Sequence, residues 1–107
     1  MKEQQLKKLI DETAEIARNH FQAFGFDDEQ ITSLLAAGQR DLTKELSKLQ
    51  ALLESEQIDI DALNLSLHAL KGLFLNMGNT AVAEKLNELR QEGSLRARLA
   101  EIRALLD

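Results

Sequence analysis

Apolar side chains return every third or fourth residue along almost the whole chain, and this periodicity leaves little room for anything but helices. Over residues 3–23 the stripe is Leu6, Leu9, Ile10, Thr13, Ala17, Phe21 and Phe24, one apolar face of an amphipathic helix. A second stripe joins Ile31, Leu34, Leu35, Leu42, Leu46, Leu49 and Leu53. A third joins Ile60, Leu63, Leu67, Leu70, Phe74 and Met77, with Leu73 on its flank. Val82, Leu86 and Leu89 form a fourth; Leu95, Leu99, Ile102 and Leu106 form a fifth. The 107 residues contain no proline, so no ring removes a backbone donor from any of these stretches. Leu, Ala, Glu, Lys, Gln and Arg dominate, and all are good helix formers.

The breaks carry their own signals. Gly25 is placed to end the first helix. Asp27 caps the second, with Gln30 three residues on, as in a capping box, and Phe26 and Ile31 stand where a hydrophobic staple falls. Gly38 interrupts the second stripe and marks either a close helix approach or a bend. Residues 55–58 read as a loop, Asp59 caps the third helix, and Ile58 and Leu63 are its staple. Gly78 and Asn79 make a tight turn before a fourth helix over residues 80–91. Gly93 ends that helix and Ser94 caps the fifth. Short connections between amphipathic helices favour antiparallel neighbours. The expectation is an all-α protein: an antiparallel four-helix bundle over residues 26–107, with an additional N-terminal helix over residues 1–25 that packs on its own bundle or on a second chain. The whole forms one domain, and a hydrophobic fraction of 44% is enough to give it a real core.

Charge and composition narrow the function. The net charge is −5 and the basic residues are scattered among carboxylates, so no phosphate-binding face for nucleic acid is expected. The absence of cysteine removes disulfides, thiolate catalysis and thiolate metal sites, and fits a reducing cytosol. Met1 leads directly into the charged segment 2–8, so no secretory leader is expected, and no apolar run is long enough to span a bilayer. A cytoplasmic location away from membranes follows as the expectation. There is no glycine-rich phosphate loop for a nucleotide. His20 and His68 are the two histidines, neither in a Glu-x-x-His pair, so no metal site is expected. His20 lies at the edge of the first stripe, which suits packing. The run Asp27-Asp28-Glu29 places negative charge at a helix N-terminus, where the macrodipole favours it.

The third helix carries the chemistry. At about 100° per residue, Asp61, Asn64, His68, Lys71, Gly72 and Leu75 share the arc opposite the apolar stripe. His68 therefore faces solvent near mid-helix. An imidazole in its neutral form keeps a lone pair on one ring nitrogen, available for attack. Gly72, one turn on, costs the helix about 1 kcal/mol relative to Ala and removes a side chain that would crowd the ring. Lys71 at i+3 puts a positive charge where it can meet phosphoryl oxygens. Leu75 on this polar arc is a candidate docking contact. Together these residues suggest an anion or phosphoryl site.

The stretch His68-Ala-Leu-Lys71-Gly72-Leu-Phe-Leu-Asn-Met-Gly78 resembles the signature of the histidine phosphotransfer (HPt) domain family, H-x-x-K-G with another glycine six positions on. The order of helices from about Asp28 to Leu106 agrees with that family. The resemblance implies a phosphorelay intermediate of two-component signalling, a phosphocarrier rather than an enzyme. His68 would accept a phosphoryl group from the aspartyl phosphate of a receiver domain, in a response regulator or hybrid histidine kinase, and pass it on. Lys71 would neutralise phosphoryl oxygens, Gly72 would keep the imidazole accessible, and Gly78 would shape the turn. No cofactor is implied for this chain, the magnesium ion being expected on the receiver alone. Asn64, Leu65 and Leu75 are the candidate partner contacts. Arg90, Arg96, Arg98 and Arg103 read as a solvated face that can also help dock an acidic receiver surface. Many family members carry small residues after the glycine, where this chain has Leu73, Phe74 and Leu75. By helical position Leu73 and Phe74 turn inward, whereas Leu75 lies beside His68 and bears on the choice of partner. The competing expectation is a helical adaptor that binds a partner through Leu75 and its neighbours without phosphoryl chemistry.

Overall fold

The computed structural model describes residues 3–91 and 95–106, with side-chain surroundings for 4–89 and 99–105. Among the described residues the chain is all-helical: α1 (Glu3–Ala23), α2 (Asp28–Glu54), α3 (Ile60–Asn76), α4 (Thr80–Gln91) and α5 (Leu95–Leu106). The expected stop at Gly93 and cap at Ser94 lie outside the described residues, as do the side chains of Leu95 and Leu106. Among the described residues no helix is long and apolar enough to cross a membrane.

The helix ends follow from local chemistry. Gly25 has φ +84°, its N–H donates to the Gln22 carbonyl at 3.0 Å, and the Phe26 N–H donates to the Phe21 carbonyl at 3.2 Å. This is a Schellman cap, and the Phe21 and Phe26 rings meet edge-on at 6.0 Å, the apolar contact that accompanies such caps. At the start of α2 the Asp27 carboxylate accepts from the Gln30 N–H at 2.8 Å while the Gln30 side chain accepts from the Asp27 N–H at 3.0 Å, the expected capping box. Asp59 caps α3 through the Ala62 N–H at 3.1 Å. A second Schellman cap closes α3: Gly78, at φ +82°, donates to the Leu75 carbonyl and Asn79 to the Phe74 carbonyl.

Each helix packs on its neighbour in sequence, and α5 returns to α1. The first helix therefore packs on its own chain, through Leu6, Ala17 and Phe21. The core is built from Leu42, Leu46 and Leu49 of α2, Leu63, Leu67, Leu70 and Phe74 of α3, Leu86 and Leu89 of α4, and Ile102 of α5. Gly38 resolves as a close approach: a Cβ there would stand 2.9 Å from the Met77 sulfur, so α3 leans on bare α2 backbone. Arg103 of α5 donates to the Leu53 carbonyl near the end of α2 at 3.4 Å. The side chains of Arg90, Arg96 and Arg98 lie outside the described ones.

Three stripe members depart from expectation. Phe24 is 69% exposed, because α1 ends at Ala23 and the residue belongs to the turn, where its ring stands edge-on to His20 at 4.9 Å. Leu34 is 38% exposed while Ile31 and Leu35 beside it are buried, because at about 100° per residue it stands at the edge of the stripe that α2 turns to the core. Ile60 opens α3 on its flank, and Ile58, just before the cap, packs against the core instead.

Two buried polar groups stand out. Thr13 Oγ1 accepts from Asn79 Nδ2 at 3.0 Å, joining α1 to the α3–α4 turn. Ser66, 1% exposed on α3, has a hydroxyl with no hydrogen-bond partner among the described residues. An unsatisfied buried hydroxyl costs about 1–3 kcal/mol. Ser66→Ala is accordingly expected to raise stability by about 1 kcal/mol in urea denaturation, with unchanged m-value; a loss above that size would mean the hydroxyl is satisfied.

Candidate functional site

The asymmetry of α3 places the candidate residues. Leu63, Leu67, Leu70 and Phe74 are buried, which turns the opposite arc outward, and His68 lies on that arc as an exposed imidazole near mid-helix. Asp61, Asn64, Leu65 and His68 line one shallow cleft of about 450 Å³. Leu65 is 70% exposed and Leu75 is 42% exposed, so two leucines flank the histidine in solvent, one turn before it and two turns after. Asn64 is half-buried.

At Gly72 a Cβ would meet nothing within 4 Å. The absence of a side chain there fills no packing role, and the face beside His68 is bare backbone. Gly38 and Gly78 differ, since each is pressed by a neighbour: Met77 lies against the first, and the His20 Cγ stands 2.6 Å from where a Cβ of the second would be.

Lys71 leans from α3 toward α4, where its Nζ donates to Asn87 Oδ1 at 3.3 Å. Lys71, Leu75, Ala83, Glu84, Asn87 and Glu88 line a second cleft of about 230 Å³. The sequence-derived set thus falls on one arc of α3 but into two separate clefts that share no lining residue, with Asn64, Leu65 and His68 in the first and Lys71 and Leu75 in the second. Asn87 was not anticipated from the sequence. Its signal is a poor helix former in the middle of α4, half-buried between Leu86 and Glu88.

His20 takes no part in this face. Its ring packs on the Gly78 backbone and against Phe21 and Phe24, as a packing group. Gly78 lies ten positions after His68, just past the end of α3 and so about 15 Å from it at the helical rise. Among the described residues no group of three or more metal-ligating side chains is close enough to hold a metal ion.

An exposed, sterically open imidazole with an ammonium on the same helix arc can act as a nucleophile toward a phosphoryl group delivered by another molecule. It does not enclose a substrate of its own. No protein-family model, curated protein or solved structure gives a significant match to the chain.

Proposed function

We propose that the protein is a cytoplasmic phosphorelay intermediate of the histidine phosphotransfer type, with His68 as phosphoacceptor. The observation that carries this reading is the exposed His68 ring beside open backbone at Gly72. In this reading α2 to α5 form an antiparallel four-helix bundle, and α1 is an addition that braces it. The donor is a receiver domain whose aspartyl phosphate docks on the α3 face over Leu65 and Leu75.

In the transfer, a lone pair on a His68 ring nitrogen forms a bond to phosphorus as the bond from phosphorus to the aspartate oxygen breaks. The electron pair of that bond leaves with the carboxylate, and the proton on the other ring nitrogen passes to solvent. The reaction needs in-line approach and charge neutralisation, and two docked surfaces share those tasks. Lys71 supplies positive charge from this side, and the receiver's magnesium ion supplies it from the other. The experiment is incubation with a phosphorylated receiver: label should move to this chain and be labile to acid and stable to base, as a phosphoramidate is.

Gly72 offers a sharper check. Gly72→Leu meets no neighbour at Cβ and gains up to about 1 kcal/mol of helix propensity, so the fold should survive. Its side chain would lie over the approach to His68. We expect a fall of about tenfold or more in transfer rate, since a misplacement of about 1 Å can cost 10²-fold. Wild-type transfer by a well-folded Gly72→Leu protein would contradict the role assigned to this glycine.

Leu65, at 70% exposure, also favours a second reading: a helical adaptor that holds a partner without phosphoryl chemistry. The adaptor reading requires partner binding indifferent to His68→Gln and no acid-labile label.

A further inference from the structure

Lys71 is held across the helix interface by a neutral group. Its Nζ donates to Asn87 Oδ1 at 3.3 Å in a partly buried setting, while Glu84 and Glu88, exposed on the same helix, line the same cleft. Among the described residues, ion pairs join Lys8 to Glu12, Arg40 to Asp41 and Lys85 to Glu101, and none engages Lys71. The lysine thus sits within a cleft carrying two carboxylates, yet its hydrogen-bond partner is an amide.

The distinction matters for an anion. A carboxylate partner would cancel most of the ammonium charge, whereas an amide oxygen restrains the group and leaves the charge whole. An ammonium has three N–H donors; one goes to Asn87 and two remain for phosphoryl oxygens. Asn is also a costly residue in mid-helix, and the bond to Lys71 is a reason for its presence there.

We propose that Asn87 is a positioning residue for phosphoryl chemistry at His68, holding the Lys71 ammonium on the α4 side of the site, apart from Glu84 and Glu88, without neutralising it. This rests on one part of the phosphocarrier reading, that His68 accepts a phosphoryl group. Removing the amide frees the lysine to swing toward either carboxylate, and the charge offered to an incoming phosphoryl group falls.

The test uses phosphoramidate, a small donor that needs no partner protein. The His68 ring nitrogen forms the new bond to phosphorus and the phosphorus–nitrogen bond of the donor breaks; its electron pair leaves with the nitrogen, which takes up one proton to depart as ammonia, matched by the proton that the imidazole loses from its other ring nitrogen. Labelling rates at phosphohistidine, followed by ³¹P NMR, are compared in wild type, Lys71→Ala, Asn87→Ala, Asn87→Gln and the Lys71→Ala/Asn87→Ala double variant. One partly solvated charge modulates a rate by up to about fivefold, so we expect Lys71→Ala to slow labelling about fourfold and Asn87→Ala about threefold. Asn87→Gln, which restores an amide oxygen, should recover most of the loss. The double variant should label at the Lys71→Ala rate, because Asn87 acts only through the lysine.

An Asn87→Ala rate equal to wild type overturns the assignment. So does equal slowing in the presence and absence of Lys71, which would mark a merely structural role. A Lys71→Ala rate equal to wild type leaves Asn87 nothing to position and overturns it as well. The same proteins are offered a phosphorylated receiver in parallel. Failure of that arm, with the small-donor coupling intact, removes the phosphocarrier reading and leaves the Asn87 assignment standing; absence of any label on His68 removes both.

Discussion

His68→Gln is expected to abolish acid-labile phosphoryl labelling completely while leaving the thermal unfolding curve in place. The ring is exposed, so the substitution exchanges one solvated polar group for another of similar reach, and surface changes of that kind stay within about 0.5 kcal/mol. The chemistry, by contrast, has no substitute. An amide nitrogen has its lone pair delocalised into the carbonyl and does not attack phosphorus at neutral pH. The other histidine cannot take over, because the His20 ring is packed on Gly78 and between Phe21 and Phe24, about 15 Å away along α3. The measurement is radiolabel transferred from a phosphorylated receiver, read beside circular dichroism melts. Label persisting in a folded His68→Gln protein would place the phosphoryl group elsewhere and end the proposal.

Gly78→Ala should produce the largest loss of stability from one added methyl group. At φ +82° an L-residue pays roughly 1–2 kcal/mol for the left-handed backbone. The new Cβ would also stand 2.6 Å from His20 Cγ and 2.8 Å from His20 Cβ, atoms near the root of that side chain that cannot swing clear. Overpacking of this kind costs about 1–3 kcal/mol, so the sum is about 2–5 kcal/mol, a drop of roughly 10–20 °C in Tm for a domain near this size. The two contributions separate in a His20→Gly background, where the clashing Cβ, Cγ and Nδ1 atoms are all gone and the backbone cost remains. A Tm within 3 °C of wild type in the single variant would show that the turn adapts, contrary to this account.

Much of the fold was legible because the local signals agree with one another. Gly25 and Gly78 stop helices, and Asp27 and Asp59 start them, for reasons contained within four residues of sequence. The stripes of α2 and α3 locate the core, because a period of three to four residues leaves few ways to bury that many leucines. The misjudged residues sit at element ends or at the edge of a stripe. Phe24, Leu34 and Ile60 satisfy the period, but whether a neighbour covers them depends on where each helix stops and how it is rotated against its neighbours, which no window of sequence reports.

The candidate site was legible in the same partial way. His68, Gly72 and Lys71 share an arc by helical geometry alone, and the exposure of the imidazole and the open space at Gly72 agree with that expectation. Asn87 was not legible, since its relation to Lys71 crosses two helices and depends on how α4 is rotated against α3. Asn79 was read as a turn residue. Its side chain accepts from the Val82 N–H at 3.4 Å as a cap of α4 and donates to Thr13, a partner 66 positions away that sequence proximity does not suggest.

That last bond sets the longitudinal register of α1. The residues one turn either side of Thr13 are Leu9, Ile10, Ile16 and Ala17, all apolar, so hydrophobicity alone does not single out the place that Thr13 occupies. A slip by one turn brings a hydrocarbon to the Asn79 amide and strands a donor away from water, at about 1–3 kcal/mol. Thr13, together with the His20 ring seated on Gly78, thus favours one alignment of an otherwise apolar interface, with specificity, more than adhesion, as its contribution.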